Sequence, residues 1–264
     1  MAPSPPAPSP SLVARVFALL RSFDADHRAQ SLATLARRTG LPRSTALRLA
    51  RRLVAEGALE RREDGDFVIG LHLLEIASLA PRGHGLRAVA MPFMEDLFHV
   101  TGQHVLLAVR EEGEALLVER LSAHDAGPVL FRVGGRMSLT GTGVGLVLLA
   151  HAPAEVQESA LETYPPGEAG DGVRTPADLR RLLSGIRRDG YVVARRAWPD
   201  REQRTVAAPV RDARGVVSAI SVVAPDQDFE PAAFLPAVRA TARAVSRHLG
   251  AEGGTGRAGR GPAG

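Results

Sequence analysis

The stretch "SLATLARRTGLPRSTALRLARRLVAEG", Ser31–Gly57, narrows the fold of its part of the chain more than any other. It holds two helical patterns with only "TGLP" between them. Serine opens the first pattern and Gly40 stops it, which are residue types that start and end helices. So short a link turns one helix sharply onto the next, the geometry of a helix-turn-helix. In the second helix Ala46, Leu49, Ala50 and Leu53 fall at i, i+3, i+4 and i+7, so they predict an inward face. Ser44, Thr45, Arg48, Arg51 and Arg52 fall on the other side. Upstream, "SLVARVFALLRSF" puts Leu12, Val16, Leu19, Leu20 and Phe23 on one helical stripe. Downstream, "LERR", "EDGD" and "FVIG" read as strand, turn and strand, with Asp64-Gly65 at the tip.

Charge gives this block a task. Between Ser31 and Arg62 there are eight arginines and two acids, a balance of +6 where the whole chain carries +4. The chain has no lysine, so all 33 basic side chains are arginine. Short hydroxyl residues at the start of the second helix, with arginines one and two turns on, suit a reader of the DNA major groove. Its N-terminal residues meet base edges, and guanidinium groups grip guanine or phosphate. Ser44, Thr45 and Arg48 are the expected base readers. Arg43, Arg51 and Arg52 are expected on phosphates, with Arg61 and Arg62 of the hairpin beside them. A solvated basic face is the plainer alternative; the order helix, helix-turn-helix, hairpin favours DNA.

The remainder divides further. Residues 1–10 and 251–264 are Pro/Ser/Ala-rich and Gly-rich, a composition of disordered tails. Residues 11–70 form the first domain, 71–85 a linker helix ("LHLLEIASLA", stopped by Pro81), and 86–250 a larger second domain. In the latter, "HVLLAVR" and "ALLVERL" predict a hairpin around Glu112-Gly113, and "GPVLFRVG" another strand. "TVAAPVRDARGVVSAISVVAP" predicts two strands joined at Asp212–Gly215. Helices are expected at Met91–Val100, Val144–Ala150, Pro176–Arg188 and Pro231–Leu249. Strand pairs interrupted by helices make this an α+β domain. No apolar run is long enough to span a bilayer, the N-terminus lacks the features of a secretory signal, and there is no cysteine for disulfides or thiolate chemistry. A cytoplasmic chain without membrane contact, metal or cofactor is expected.

These blocks resemble the IclR-type bacterial transcriptional regulators. The likeness rests on Ser31–Ala80 and continues, in the family's order, through "MPFMEDLFHVTGQHVLLAVREEGEALLVERL", "VGGRMSLTGTGVGLVLLA", "IRRDGYVVAR" and "VAAPVRDARGVVSAISVVAP". It implies an N-terminal winged helix-turn-helix joined by a linker helix to a C-terminal GAF-like domain that binds a small effector. It also implies homodimers, or dimers of dimers, on palindromic double-stranded operators.

"GTGVGLVLLA", from Gly141, is the one glycine pattern with chemistry to weigh. Its spacing is G-x-G-x-G, Leu146 stands where a dinucleotide fingerprint needs glycine, and a Walker motif is impossible without lysine. In the resemblance it is the effector-domain loop that runs into a helix. Free N–H groups at that helix start can hold an anion such as a carboxylate, which makes Gly141, Thr142, Gly143 and Val144 candidates. A plain capped helix start is the alternative. The family usually has His before the loop and Lys in the helix, where this chain has Thr140 and Leu146. The matching strands offer Thr205 and Ser221 as inward hydroxyls and Arg195 as a bidentate carboxylate partner. Arg195 and Arg196 facing solvent, and Trp198 walling a ligand or merely packing, stay open. No G-x-S-x-G elbow and no zinc spacing among the histidines points to an enzyme, although His99 and His104 flank a turn. The expected function is a sequence-specific regulator whose operator affinity responds to a small carboxylate. The alternatives are an enzyme, or a ligand-independent DNA binder, built on the same domains.

Overall fold

The computed structural model describes residues 10–24, 26–122, 131–170, 172–198 and 201–250, without the side chains of Arg196, Ala197, Trp198 and Arg201. Both tails, apart from Pro10, lie outside the described residues, as do His124 and the side chains of Arg196 and Trp198. The chain divides into two units between Ala80 and Pro81.

In the first unit, α1 (Leu12–Arg21) is capped by the Ser11 hydroxyl, which accepts the Ala14 N–H at 3.1 Å. Helix α2 (Leu32–Thr39) is capped by Ser31 and stops at Gly40, whose φ of 67° is left-handed. Helix α3 (Arg43–Ala55) follows after Leu41-Pro42. Leu19, Leu35, Leu49, Ala50, Leu59 and Phe67 form the core, with Val16, Leu20, Phe23 and Leu53 at its edge. Leu12 of the predicted stripe is 47% exposed. It lies in the first turn and reaches only a groove that it shares with Val16, Leu49, Arg52 and Leu53. The wing is β2 (Leu59–Arg61) and β3 (Phe67–Ile69), with Gly65 left-handed at the tip (φ 88°). A strand too short to show alternation, β1 (Ala29–Gln30), pairs with β3.

The segment expected as one linker helix is broken. Helix α4 covers Leu71–Ser78, and a π-helical turn over Pro81–Gly85 leads directly into α5 (Leu86–Thr101). Pro81 has no N–H to continue α4 and disfavours helix in the residue before it. Helix α5 begins earlier than the expected Met91, so Pro92 sits inside the helix, not at its start.

The second unit is built on an antiparallel sheet, β6-β5-β4-β9-β8-β7. Its strands are β4 (His104–Glu111), β5 (Glu114–Leu121), β6 (Arg136–Ser138), β7 (Val192–Trp198), β8 (Arg201–Asp212) and β9 (Gly215–Pro225). Part of the expected strand "GPVLFRVG" lies outside the described residues, and Phe131–Gly134 is loop and turn. The strand forms instead at Arg136–Ser138, a piece of sequence that reads poorly as strand, because Gly134 (φ 76°) turns the chain back onto β5. One face of the sheet is covered by α5 and α9 (Pro231–His248). The other is covered by α6 (Gly143–Ala150), α7 (Ala154–Glu162) and α8 (Pro176–Asp189). All eight residues of α6 are buried, as expected for a helix that is apolar all round.

Candidate nucleic-acid interface and effector pocket

Helix α3 presents its inner face as expected: Ala46, Leu49 and Ala50 are buried and Leu53 is partly so. The opposite ridge, at helical spacing, is Ser44, Arg48, Arg51 and Ala55, all exposed. Thr45 is partly buried on one flank, and Arg52, though exposed, lines the groove against α1 with Leu12 and Val16. Arg43 lies exposed on the other flank, at the helix start. Among the described residues no carboxylate pairs with Arg43, Arg48, Arg51 or Arg52, so these guanidinium groups are open to an anionic partner.

The wing arginines are partly engaged. Arg61 lies 5.8 Å over the Phe67 ring, and Arg62 is 3.6 Å from the Asp64 carboxylate across the tip, with both side chains of that pair more than half exposed. Arg38 differs from its neighbours on α3. It donates to the Ser22 carbonyl at 3.0 Å and pairs with Asp24 at 2.5 Å, so it fastens α2 to the turn after α1. The hydrogen bond from His27, and after it the backbone bonds from Asp26 and His27, hold the Asp24 carboxyl at about 2.

The second site lies at the N-terminus of α6. Its cavity, with about 600 Å³ between its walls including the open mouth, is bordered by Gly141, Thr142, Gly143, Val144, Arg195, Thr205 and Ser221. The structure therefore brings together every residue expected at an effector site. The Thr142 hydroxyl caps α6 by accepting the Gly145 N–H at 3.1 Å, and it donates to the Ser138 carbonyl at 2.9 Å. Within the described residues no partner takes up the Gly143 and Val144 N–H groups. The Thr205 hydroxyl oxygen is buried without a partner. Donors left over at a helix start are suited to an anion.

The glycines serve close packing. A Cβ at Gly143 would lie 2.5 Å from Thr205 Cγ2, and one at Gly145 would lie 2.5 Å from the Ser138 carbonyl oxygen. The spacing G-x-G-x-G lets the helix start approach β8 on one side and its own preceding loop on the other.

Arg195 does not meet the expectation of a bidentate carboxylate partner. The β7–β8 register sets it directly opposite Arg204, and β8 alternates, so Arg204 and Thr205 leave opposite faces of the sheet. Arg195 is ion-paired with Glu202, and Arg204 with Asp226 at 2.5 Å, its guanidinium lying 5.6 Å over Phe229 on the α9 side. Both border the cavity while their charges are engaged elsewhere. Residues that sequence reasoning missed include Leu106, Phe131, Met137, Glu168, Gln203 and Val223. Gln203 and Val223 were findable as i±2 neighbours of Thr205 and Ser221 on the same strand faces. Glu168 was not: it arrives on the loop between α7 and α8. Among the described residues no three His, Cys, Asp or Glu side chains gather where a metal ion could be held, and His104 is buried within β4. No described helix is long and apolar enough to cross a membrane.

Comparison with known proteins gives two family matches. Residues 12–63 match the IclR helix-turn-helix domain, and residues 80–247 match the bacterial transcriptional regulator IclR C-terminal domain. A glycerol operon regulatory protein of Streptomyces coelicolor is 30% identical over 90% of this chain and 95% of its own length. The transcriptional repressor AllR of Klebsiella pneumoniae is 29% identical over 89% of each chain. Among solved structures, an IclR homologue from Microbacterium hydrocarbonoxydans in complex with 4-hydroxybenzoate is 38% identical. That match covers 90% of this chain and 99% of the homologue, with a TM-score of 0.84.

Proposed function

The chain belongs to the IclR family of bacterial transcriptional regulators, and from that premise we propose how its two halves share the work. Residues 11–70 bind the operator, residues 86–250 bind a small acid, and 71–85 connect them. Ser44 and Arg48 on the outer ridge of α3 read base edges in the major groove, with Thr45 at its edge, and Arg51 on the same ridge grips the phosphate backbone. Arg43, Arg52, Arg61 and Arg62 hold flanking phosphates. The acid sits at the start of α6, its carboxylate taken by the Gly143 and Val144 N–H groups and the Thr205 hydroxyl. The observation that carries this is the cavity at the α6 N-terminus, where donors stand without partners against apolar walls. The 4-hydroxybenzoate held by the Microbacterium hydrocarbonoxydans homologue supports an aromatic carboxylate as the class.

Exposed Leu12, Val13 and Phe17 on α1, with Leu71, Leu74, Ile76 and Leu79 on and after α4, support a homodimer through this unit. A two-fold dimer requires a palindromic operator with half-sites about one helical turn apart or a multiple of it. Working on chromosomal DNA places the protein in the cytoplasm. For the acid to act, it must bind one arrangement of the dimer better than the other; a tenfold change in operator affinity needs about 1.4 kcal/mol of such preference. Selection of genomic fragments by the full chain, followed by operator titration with and without aromatic acids at fixed salt, tests the proposal. Enrichment of no sequence, or one affinity under all acids, contradicts it.

A further inference from the structure

Among the described residues three charged ones border the effector cavity, and two of them, Arg195 and Arg204, are engaged with Glu202 and Asp226 as described. The third, Glu168, has no ion pair among the described residues; its Oε2 accepts the Thr140 hydroxyl. The direction of that bond is set by its neighbours. Ser138 Oγ accepts the Thr140 N–H at 3.2 Å and the Gly141 N–H at 3.1 Å. Its own proton is then left for Thr140 Oγ1, 3.1 Å away, and the Thr140 proton is left for Glu168. The relay ends on a carboxylate, which accepts and does not donate. Oε1 of Glu168 has no partner among the described residues.

The pocket wall therefore carries two kinds of demand. The Gly143 and Val144 N–H groups require an acceptor. Glu168, partly buried at the cavity border, offers an acceptor. Between them the walls are apolar, from Leu106, Phe131, Met137 and Val223. A bare carboxylic acid answers only the first demand and leaves the Glu168 acceptor unused. Resting on the effector reading of this same pocket, we infer that Glu168 is a specificity determinant: it selects aromatic acids that also carry a hydroxyl, whose proton it accepts. Thr140, whose hydroxyl donates to Oε2, positions that carboxylate.

Sites built to hydrogen-bond a ligand hydroxyl reject analogues that lack it, and a hydrogen bond to a charged group is worth about tenfold or more in affinity. Calorimetry on the full chain with benzoate and with 3-hydroxy-, 4-hydroxy- and 3,4-dihydroxybenzoate reads the effect directly. At least one hydroxylated acid is expected to bind about tenfold or more tighter than benzoate. Glu168→Leu is expected to bring that ratio within about threefold while benzoate binding persists. Glu168→Gln, which keeps a neutral acceptor, falls between, and it carries the test alone if the leucine variant does not fold. Equal binding of benzoate and every hydroxylated acid overturns the inference. So does a ratio unchanged by both variants, a uniform loss for all acids, or no binding of any aromatic acid. If no aromatic acid binds but succinate shifts operator affinity, this inference fails and the effector-responsive reading stands. Discriminating binding of a hydroxybenzoate that leaves operator affinity unchanged has the reverse meaning.

Discussion

Gly143→Ala strikes the contact on which the effector pocket is built. The added Cβ would stand 2.5 Å from Thr205 Cγ2, 3.0 Å from Thr205 Oγ1 and 3.4 Å from Ala207 Cβ. Carbon atoms pack at about 3.5–4.0 Å, so the first contact must lengthen by about 1 Å. Thr205 is β-branched and stiff at χ1, and it lies within a twelve-residue strand, so neither partner yields freely. Overpacking of this kind costs about 1–3 kcal/mol. Alanine's better helix propensity, at most about 1 kcal/mol and less at a helix start, works in the opposite direction. The net expectation is a loss of about 1–2 kcal/mol, a fall in Tm of about 2–8 °C for a domain of this size. Thr205→Ala removes both clashing atoms. Its hydroxyl has no partner among the described residues, so its loss sacrifices no hydrogen bond seen among them. The double variant should therefore recover at least half the loss. Gly145→Ala is the contrast: its Cβ meets the Ser138 oxygen at 2.5 Å and Leu139 Cα at 2.7 Å, both backbone, so no side-chain change should rescue it. Thermal melts of the full chain and the two single and one double variants give the coupling energy. If Gly143→Ala and Thr205→Ala add to within about 0.5 kcal/mol, the close approach of α6 to β8 is not what fixes glycine at position 143.

Arg48→Ala should relax sequence preference at one operator position at a cost of about 1–3 kcal/mol, whereas Arg51→Ala should weaken operator and random DNA alike; equal losses from both in binding titrations refute the division of roles. The Asp24 carboxyl is held at about 2, below its ordinary 3.8. A lowered carboxyl pKa stabilises the fold above the unfolded value, and that contribution is lost as pH falls from about 3.8 towards 2. Asp24→Asn should therefore lower Tm at pH 6 and converge on the unsubstituted chain near pH 2 to 3, as followed by circular dichroism. If the proposed homodimer forms through this unit, Leu74→Glu, on the exposed apolar side of α4, should lower the mass measured by light scattering to that of a monomer, without unfolding either domain.

What was legible in the sequence follows from periodicity. Helix α3 announced its faces because four apolar residues at helical spacing leave a polar ridge opposite them, and Arg48 and Arg51 stand on that ridge. Thr205 and Ser221 were legible through the resemblance to the family's pocket strands, and strand alternation puts both on the face that borders the cavity. The same rule, applied one residue differently, turns Arg195 away from the site: residue type suggested a carboxylate partner, and register overruled it. Strand β1 has two residues and β6 three, too few for a pattern. Helix α7 buries only Leu161, so it has little apolar stripe to read. Glu168 reaches Thr140 across 28 residues of chain, and nothing local in "PPGEAG" marks a pocket wall. Gly141 and Gly143 read as part of an anion-binding helix start, whereas the contacts of Gly143 with Thr205 and of Gly145 with Ser138 are tertiary and leave no local signal.

The central claim is that occupancy of the cavity at the α6 N-terminus changes affinity for DNA. Its most direct test is the operator dissociation constant of the full chain, by fluorescence anisotropy at one salt concentration. It is measured without ligand and at saturation with an acid that calorimetry has shown to bind. Coupling of the usual size predicts a change of about fivefold or more, with random-sequence DNA little affected. An acid that saturates the pocket and leaves operator affinity unchanged contradicts the account.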